Sequence, residues 1–278
     1  MDIASLVGIV LAFGAVLVSA LIEHTDLSIL IRQYAAFILV FFGTLGATML
    51  SFPLRTFING FKLGVQSVFF EKNFGERNMI TQLVSFAEKA RREGLLALEN
   101  ESNELEDPFL RKGIQLVIDG RDAEIIRRIL ETEVSLNQEH GAKAEQVFMN
   151  LGGYSPTLGI IGTVLGLINM LQGLAKATGE GNVAGSIGEA TAAAFVATFF
   201  GILFANLLWL PMGTKIKERT AKTLLLREIQ IEGILSIQAG DNPRLLEEKL
   251  TAFLEPEQRG AAAEGQGGGV GEPAGATA

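Results

Sequence analysis

The chain has 278 residues, no cysteine, two histidines and a formal net charge of −8. The acidic balance argues against a nucleic-acid binder, and the missing thiols exclude both a disulfide framework and a thiolate metal site. The mean hydropathy of +0.33 is concentrated in long uncharged runs, which point to a lipid environment.

Taken in chain order, the first such run is Ile3–Ile22. A spanning helix needs roughly 20 apolar residues, about 30 Å at 1.5 Å per residue. Only Met1 and Asp2 precede this run, with no basic stretch before it and no small-x-small site after it. It is therefore expected to be a membrane span and not a signal peptide. A short link, Glu23–Arg32, leads to a second run, Gln33–Phe52. Next comes the charged segment Pro53–Leu151. In it Ile80, Leu83, Val84 and Ala87 recur at helical spacing, as do Ile125, Ile126, Ile129, Leu130 and Val134. Asp107-Pro108 and Asp119-Gly120 punctuate it. From Asp122 to Gly152 the only breaker is Gly141, so this stretch is expected to extend the third span, Pro156–Ala175. The fourth run is Ala190–Leu210. Lys215–Ala239 reads as its extension, stopped at Gly240-Asp241-Asn242-Pro243, and Leu245–Leu254 as a short last helix. Glu255–Ala278 is Gly, Ala, Glu and Pro, a composition that predicts a disordered tail.

The expected fold is an all-α integral membrane protein of four transmembrane helices. A helical cytoplasmic domain lies between the second and third, and the third and fourth extend far into the cytoplasm. The expected divisions are 1–52, a first helix pair; 53–151, a cytoplasmic domain; 152–211, a second helix pair; 212–254, C-terminal helices; and 255–278, the tail.

Basic residues set the orientation. The links Glu23–Arg32 and Lys176–Glu189 carry one each, against thirteen in Pro53–Leu151 and eight after Pro211. The positive-inside rule places both termini and the large middle segment in the cytoplasm.

No Asp, Glu, Lys or Arg lies near the middle of any span. Intramembrane ionisable groups are the usual markers of ion paths, so any carboxylate needed for ion movement must come from another chain. The spans instead carry small residues and hydroxyls. Gly162 and Gly166 form a GxxxG, which lets backbones approach closely. Thr191, Ala194, Thr198 and Ala205 share one narrow face, and Gly43, Gly46 and Ala47 lie in the second span. A mid-span Thr often only bonds its own i−4 carbonyl. Two hydroxyls at similar depth, Thr163 and Thr198, mark a polar, ion-contacting surface. Pro156 and Pro211 frame the second pair and are candidate bends.

Three segments together carry a family resemblance: Gly43-Thr-Leu-Gly-Ala-Thr48, Pro156-Thr-Leu-Gly-Ile-Ile-Gly-Thr163-Val-Leu-Gly-Leu167 and Ala197-Thr198-Phe-Phe-Gly201-Ile-Leu-Phe-Ala-Asn206. In this order, and with this four-span plan over residues 1–254, the chain resembles the MotA/PomA family of flagellar stator subunits. The resemblance implies a ring of five copies around two copies of a MotB/PomB-like partner. That partner supplies the membrane Asp, and ion flow turns the ring against the rotor switch protein. It also implies rotor contact through Arg91 and Glu99, which flank Gly94, and conformational coupling through Pro156 and Pro211. Thr163 and Thr198 fall on the ion path. The Thr at position 163 resembles sodium-type members, which favours Na⁺ over H⁺ as the transported ion. The implied location is the bacterial inner membrane.

The nearest alternative is an ExbB/TolQ-like proton-driven energiser, a group with three spans and an outside N-terminus. A self-sufficient carrier would need an internal ionisable site, which the spans lack. An enzyme is not expected: there is no phosphate-cradling loop and no metal-ligand spacing, and Glu99, Glu101 and Glu104 read as an acidic helix face. His24 and His140 lie too far apart in the plan to share a metal, and no cofactor is expected.

Overall fold

The structure is a computed structural model that describes residues 3–69, 75–176 and 183–254. The predicted tail, 255–278, and part of the link after Lys176 lie outside the described residues. Among those described, every regular element is helical. The elements are α1 Ile3–Ile22, α2 Ser28–Arg32, α3 Tyr34–Ser51, α4 Leu54–Phe69, α5 Glu76–Glu93, α6 Glu99–Glu104, α7 Pro108–Ile118, α8 Ala123–Lys176, α9 Val183–Phe204, α10 Leu210–Ala239 and α11 Pro243–Thr251. A 3₁₀ turn, Leu95–Leu98, links α5 to α6, and a π turn, Ala205–Trp209, links α9 to α10. Four helices are long and apolar enough to cross a membrane: α1, α3, α8 and the run from Ile187 through α10.

One element differs from the sequence expectation: the link Glu23–Arg32 contains α2, one and a half turns of helix. Pro156 sits inside α8, an unbroken helix of 54 residues that takes in both the third span and the stretch before it. Its missing N–H leaves the Gly152 carbonyl without the intrahelical donor it would normally meet.

The chain divides into two compact units. Among the described residues, the first takes those within 1–72 and 138–220, the second those within 73–137 and 221–254. In the first unit, α3 meets α9 through rings. Phe37 lies 5.8 Å from Phe200 and 5.7 Å from Phe204, and Phe41 lies 5.6 Å from Phe204. A second cluster gathers α4, α8 and α10 around Trp209, which is fully enclosed by Phe41, Phe61 and Phe148 at centroid distances of 5.9–6.4 Å. Such ring pairs add about 0.5–1.5 kcal/mol each beyond the area they bury.

The second unit has its own core, in which Leu83, Leu98, Leu110, Ile114, Ile126, Leu130, Ile229, Ile234 and Leu246 are fully buried. Its helices start where short polar residues cap them. Asp107 accepts from the Phe109 N–H at 3.0 Å, and Asn242 accepts from the Arg244 N–H at 3.0 Å, each with Pro at the next position. The Asp-Pro and Asn-Pro breaks read in the sequence are thus helix starts.

Candidate functional site: a hydroxyl pair between two spans

Small residues bring α8 and α9 together. A Cβ on Gly166 would lie 2.9 Å from the Ala194 Cα, and one on Gly162 would lie 2.5 Å from the Ala197 Cβ. On Gly201 it would lie 2.8 Å from the Ser155 carbonyl oxygen and 3.1 Å from the Gly159 Cα. At Gly166 and Gly201 backbone meets backbone, so the contact tolerates no side chain there. Gly162 and Gly166 stand out in the sequence as a GxxxG. Gly159 and Gly201 complete the seam, and only the three-residue step from Gly159 to Gly162 hinted at the first of them.

At this seam the two mid-span hydroxyls meet. Thr163 Oγ1 and Thr198 Oγ1 are hydrogen-bonded to each other. Thr163 Oγ1 also lies 3.1 Å from the carbonyl oxygens of Gly159 and Ala194. One hydroxyl has one proton, so Thr163 can donate to only one of its three neighbours at a time. The remaining lone pairs form a small cluster of oxygens and nothing else, the donor set suited to a hard cation. Both threonines are half-buried within the unit, so the cluster is not sealed by this chain.

Other threonines sort differently. Thr44 and Thr48 are fully buried. Each bonds the carbonyl one turn back, Val40 O at 2.5 Å and Thr44 O at 2.9 Å, which is packing behaviour. Thr191, on the same face of α9 as Thr198, donates to Met170 Sδ at 3.3 Å. Ser155 is fully buried, and its Oγ has no hydrogen-bond partner among the described residues.

Pro156 stands one residue beyond Ser155, against Gly201, where a Cβ would come within 3.2 Å of the Pro156 Cα. Pro211 is the second residue of α10, directly after the π turn, where the Leu210 N–H bonds back to Ala205 O. A wide turn there moves the carbonyl that the proline ring would otherwise strike. Asn206, in the π turn, is exposed and donates to Ile202 O at 2.9 Å.

Arg91 and Glu99 lie in the second unit, at the end of α5 and the start of α6, and both are exposed. Gly94 between them has φ +87°, a conformation costly for any residue with a side chain. Leu98, fully buried, and the Lys89–Glu101 ion pair at 2.5 Å hold the turn on both sides. The hydrogen bond and charge of Glu101 push the Lys89 ammonium upward. The pattern Arg91-x₂-Gly94-x₄-Glu99 is legible in the sequence, but the Lys89 clamp is not.

The second unit also holds a polar cluster that sequence reading missed. Asp107 Oδ2 accepts from Arg227 Nη1 at 2.6 Å and from Gln230 Nε2 at 2.8 Å. The Arg227 guanidinium lies 4.6 Å from the centre of the Phe109 ring. Burial disfavours the Asp107 carboxylate, but the hydrogen bonds from Gln230 and Arg227 and the Arg227 charge outweigh it. The carboxyl is held below its usual range. Among the described residues no group of three His, Cys, Asp or Glu side chains could hold a metal.

The helices, the four spans and the carboxylate-free seam define a multi-pass α-helical membrane protein. Residues 101–229 match the profile of the MotA/TolQ/ExbB proton channel family. The chain is 36% identical over 260 residues to motility protein A of Bacillus subtilis, covering 93% of each chain. Its fold superposes on the flagellar MotAB stator complex of Bacillus subtilis with a TM-score of 0.83 at 34% identity, covering 93% of this chain and 98% of that one. It also superposes on the C. jejuni MotAB structure with a TM-score of 0.83 at 30% identity, covering 92% and 97%. The chain belongs to the motility protein A family of flagellar stator subunits.

Proposed function

We propose that this chain is the ring-forming subunit of a flagellar stator that works with a MotB-like partner. Cations crossing the interface between the two drive torque on the rotor switch protein. The observation that carries this reading is the Thr163–Thr198 oxygen cluster in spans that contain no central carboxylate of their own. The partner brings the acidic group, and this chain brings the hydroxyls and carbonyls that replace the ion's water as it passes. The relatives' MotAB complexes support the partnership, and five copies around two is the stoichiometry the family resemblance implies.

The transported ion is Na⁺. An all-oxygen cluster with spare lone pairs suits a small hard cation. The second reading is H⁺, favoured by the family's description as a proton channel. Both termini and the second unit face the cytoplasm, because every loop obeys the positive-inside rule. Arg91 and Glu99 then contact the rotor, where exposed charges bring surfaces into register and release repeatedly at modest cost. Pro156 and Pro211 are the points at which movement of the spans is coupled to the rest of the chain. The chain performs no catalysis and carries no cofactor.

Expression in stator-deficient cells tests this reading. The chain together with its partner restores swimming, and either one alone does not. Swimming restored by the chain alone, or an N-terminal reporter exposed outside the cell, would overturn it in favour of a self-contained channel or an energiser.

A further inference from the structure

Helix α4 uses one face inside the first unit and leaves another bare. Phe57 and Phe61 join the Trp209 cluster, and Gly64 presses so close to Phe148 that a Cβ would lie 2.2 Å from its ring. That face is committed. On another face, Arg55 and Lys62 are exposed, and neither has an ion-pair or hydrogen-bond partner among the described residues. They stand seven residues apart, about 10 Å along a helix. Beside them run Leu54, Ile58 and Val65, at 59%, 54% and 36% exposure. These residues, at i, i+4 and i+11, form one apolar strip. The sixteen residues of α4 include no acid at all.

The helix begins three positions after α3 ends at Ser51, so the chain has just left a membrane span. An apolar strip bordered by unpaired cations suits the boundary between acyl chains and headgroups. There the stems of Arg and Lys lie along apolar surface while their charges reach phosphate. We propose that this bare face of α4 docks acidic phospholipids, with Leu54, Ile58 and Val65 against the acyl boundary and Arg55 and Lys62 on the anionic headgroups. Charge complementarity and continuity with the span favour the bilayer over a second copy of the chain. The assignment to the cytoplasmic leaflet rests on the topology proposed above; the headgroup preference does not.

The chain has no cysteine of its own, so Ile58→Cys in the purified complex with the partner subunit gives this chain a single labelling site. A fluorophore there is reconstituted into phosphatidylcholine vesicles containing brominated phosphatidylglycerol or brominated phosphatidylcholine. Each cation near an anionic surface is worth about fivefold in association. With two cations, quenching by the glycerol lipid should therefore need a mole fraction about twenty-five-fold lower. Arg55→Gln with Lys62→Gln abolishes the difference, and Arg55→Lys keeps it. Equal quenching by both lipids in the unsubstituted background would overturn the proposal. So would a label that neither lipid quenches, or an Ile58→Cys that cross-links copy to copy. Separately, Asn59→Cys reacting with an impermeant maleimide outside intact cells would overturn the topology while leaving the quenching result to decide the lipid preference.

Discussion

Thr163 and Thr198 meet hydroxyl to hydroxyl across the α8–α9 seam, with the Gly159 and Ala194 carbonyl oxygens each 3.1 Å from Thr163 Oγ1. The glycines on either side make this possible. Any side chain at 159, 166 or 201 would push the helices apart and separate the pair. Thus the packing and the oxygen cluster have one origin: small residues at a three- and four-residue step.

Thr163→Val keeps the shape and removes the oxygen. Losing one hydrogen-bonding or ligating oxygen costs about 1.5 kcal/mol, roughly tenfold in ion affinity. The sodium concentration giving half-maximal swimming speed should rise by about that factor, while Thr163→Ser stays close to wild type. An unchanged curve would make Thr163 a packing residue.

Gly201→Ala tests the seam itself. The added methyl would face the Ser155 carbonyl oxygen at 2.8 Å, against backbone that cannot swing aside. Overpacking of this kind costs about 1–3 kcal/mol. The purified complex should melt at lower temperature. Gly173→Ala, with nothing within 4 Å of its Cβ, should leave melting unchanged.

Asp107 ties the start of α7 to α10 through Arg227 and Gln230. Its folded pKa lies below its unfolded one. Its contribution is therefore complete above the unfolded carboxylate value, about 4, and is lost as pH falls through the depressed folded value. Asp107→Asn should cost about 2 kcal/mol at neutral pH, because it leaves the Arg227 charge half-buried and unpaired. The stability gap between the two proteins, followed by denaturant melts, should close below about pH 4. A gap independent of pH would place the effect in packing.

Arg91→Glu and Glu99→Lys reverse exposed charges on a turn whose fold is held by Leu98 and the Lys89–Glu101 pair. Surface charges of this kind add little to stability. Tethered-cell torque should fall several-fold with membrane levels unchanged. Equal loss of both would assign the two residues to folding.

The spans were legible because lipid demands about 20 uncharged residues in a row, and Ile3–Ile22 can hardly be read otherwise. The mid-span hydroxyls were legible for the same reason: a Thr at 163 or 198 has few rivals among apolar neighbours. What stayed hidden depends on contacts distant in sequence. Asp107 reads only as half of an Asp-Pro break, and nothing local announces Arg227, 120 residues later. Nothing local marks Trp209 as a core residue, yet the folded chain encloses it among rings from α3, α4 and α8. α4 escaped notice as a separate helix because its committed and bare faces are both partly apolar, which blurs the period. The π turn before Pro211 has no sequence signal beyond the proline itself.

The central claim is tested most directly in cells whose only stator is this chain with its cognate partner. Swimming speed is measured as sodium is replaced by potassium at constant ionic strength and pH. Speed that falls with sodium is the predicted result. Speed indifferent to sodium would contradict the Na⁺ assignment and give the Thr163–Thr198 cluster to a proton path.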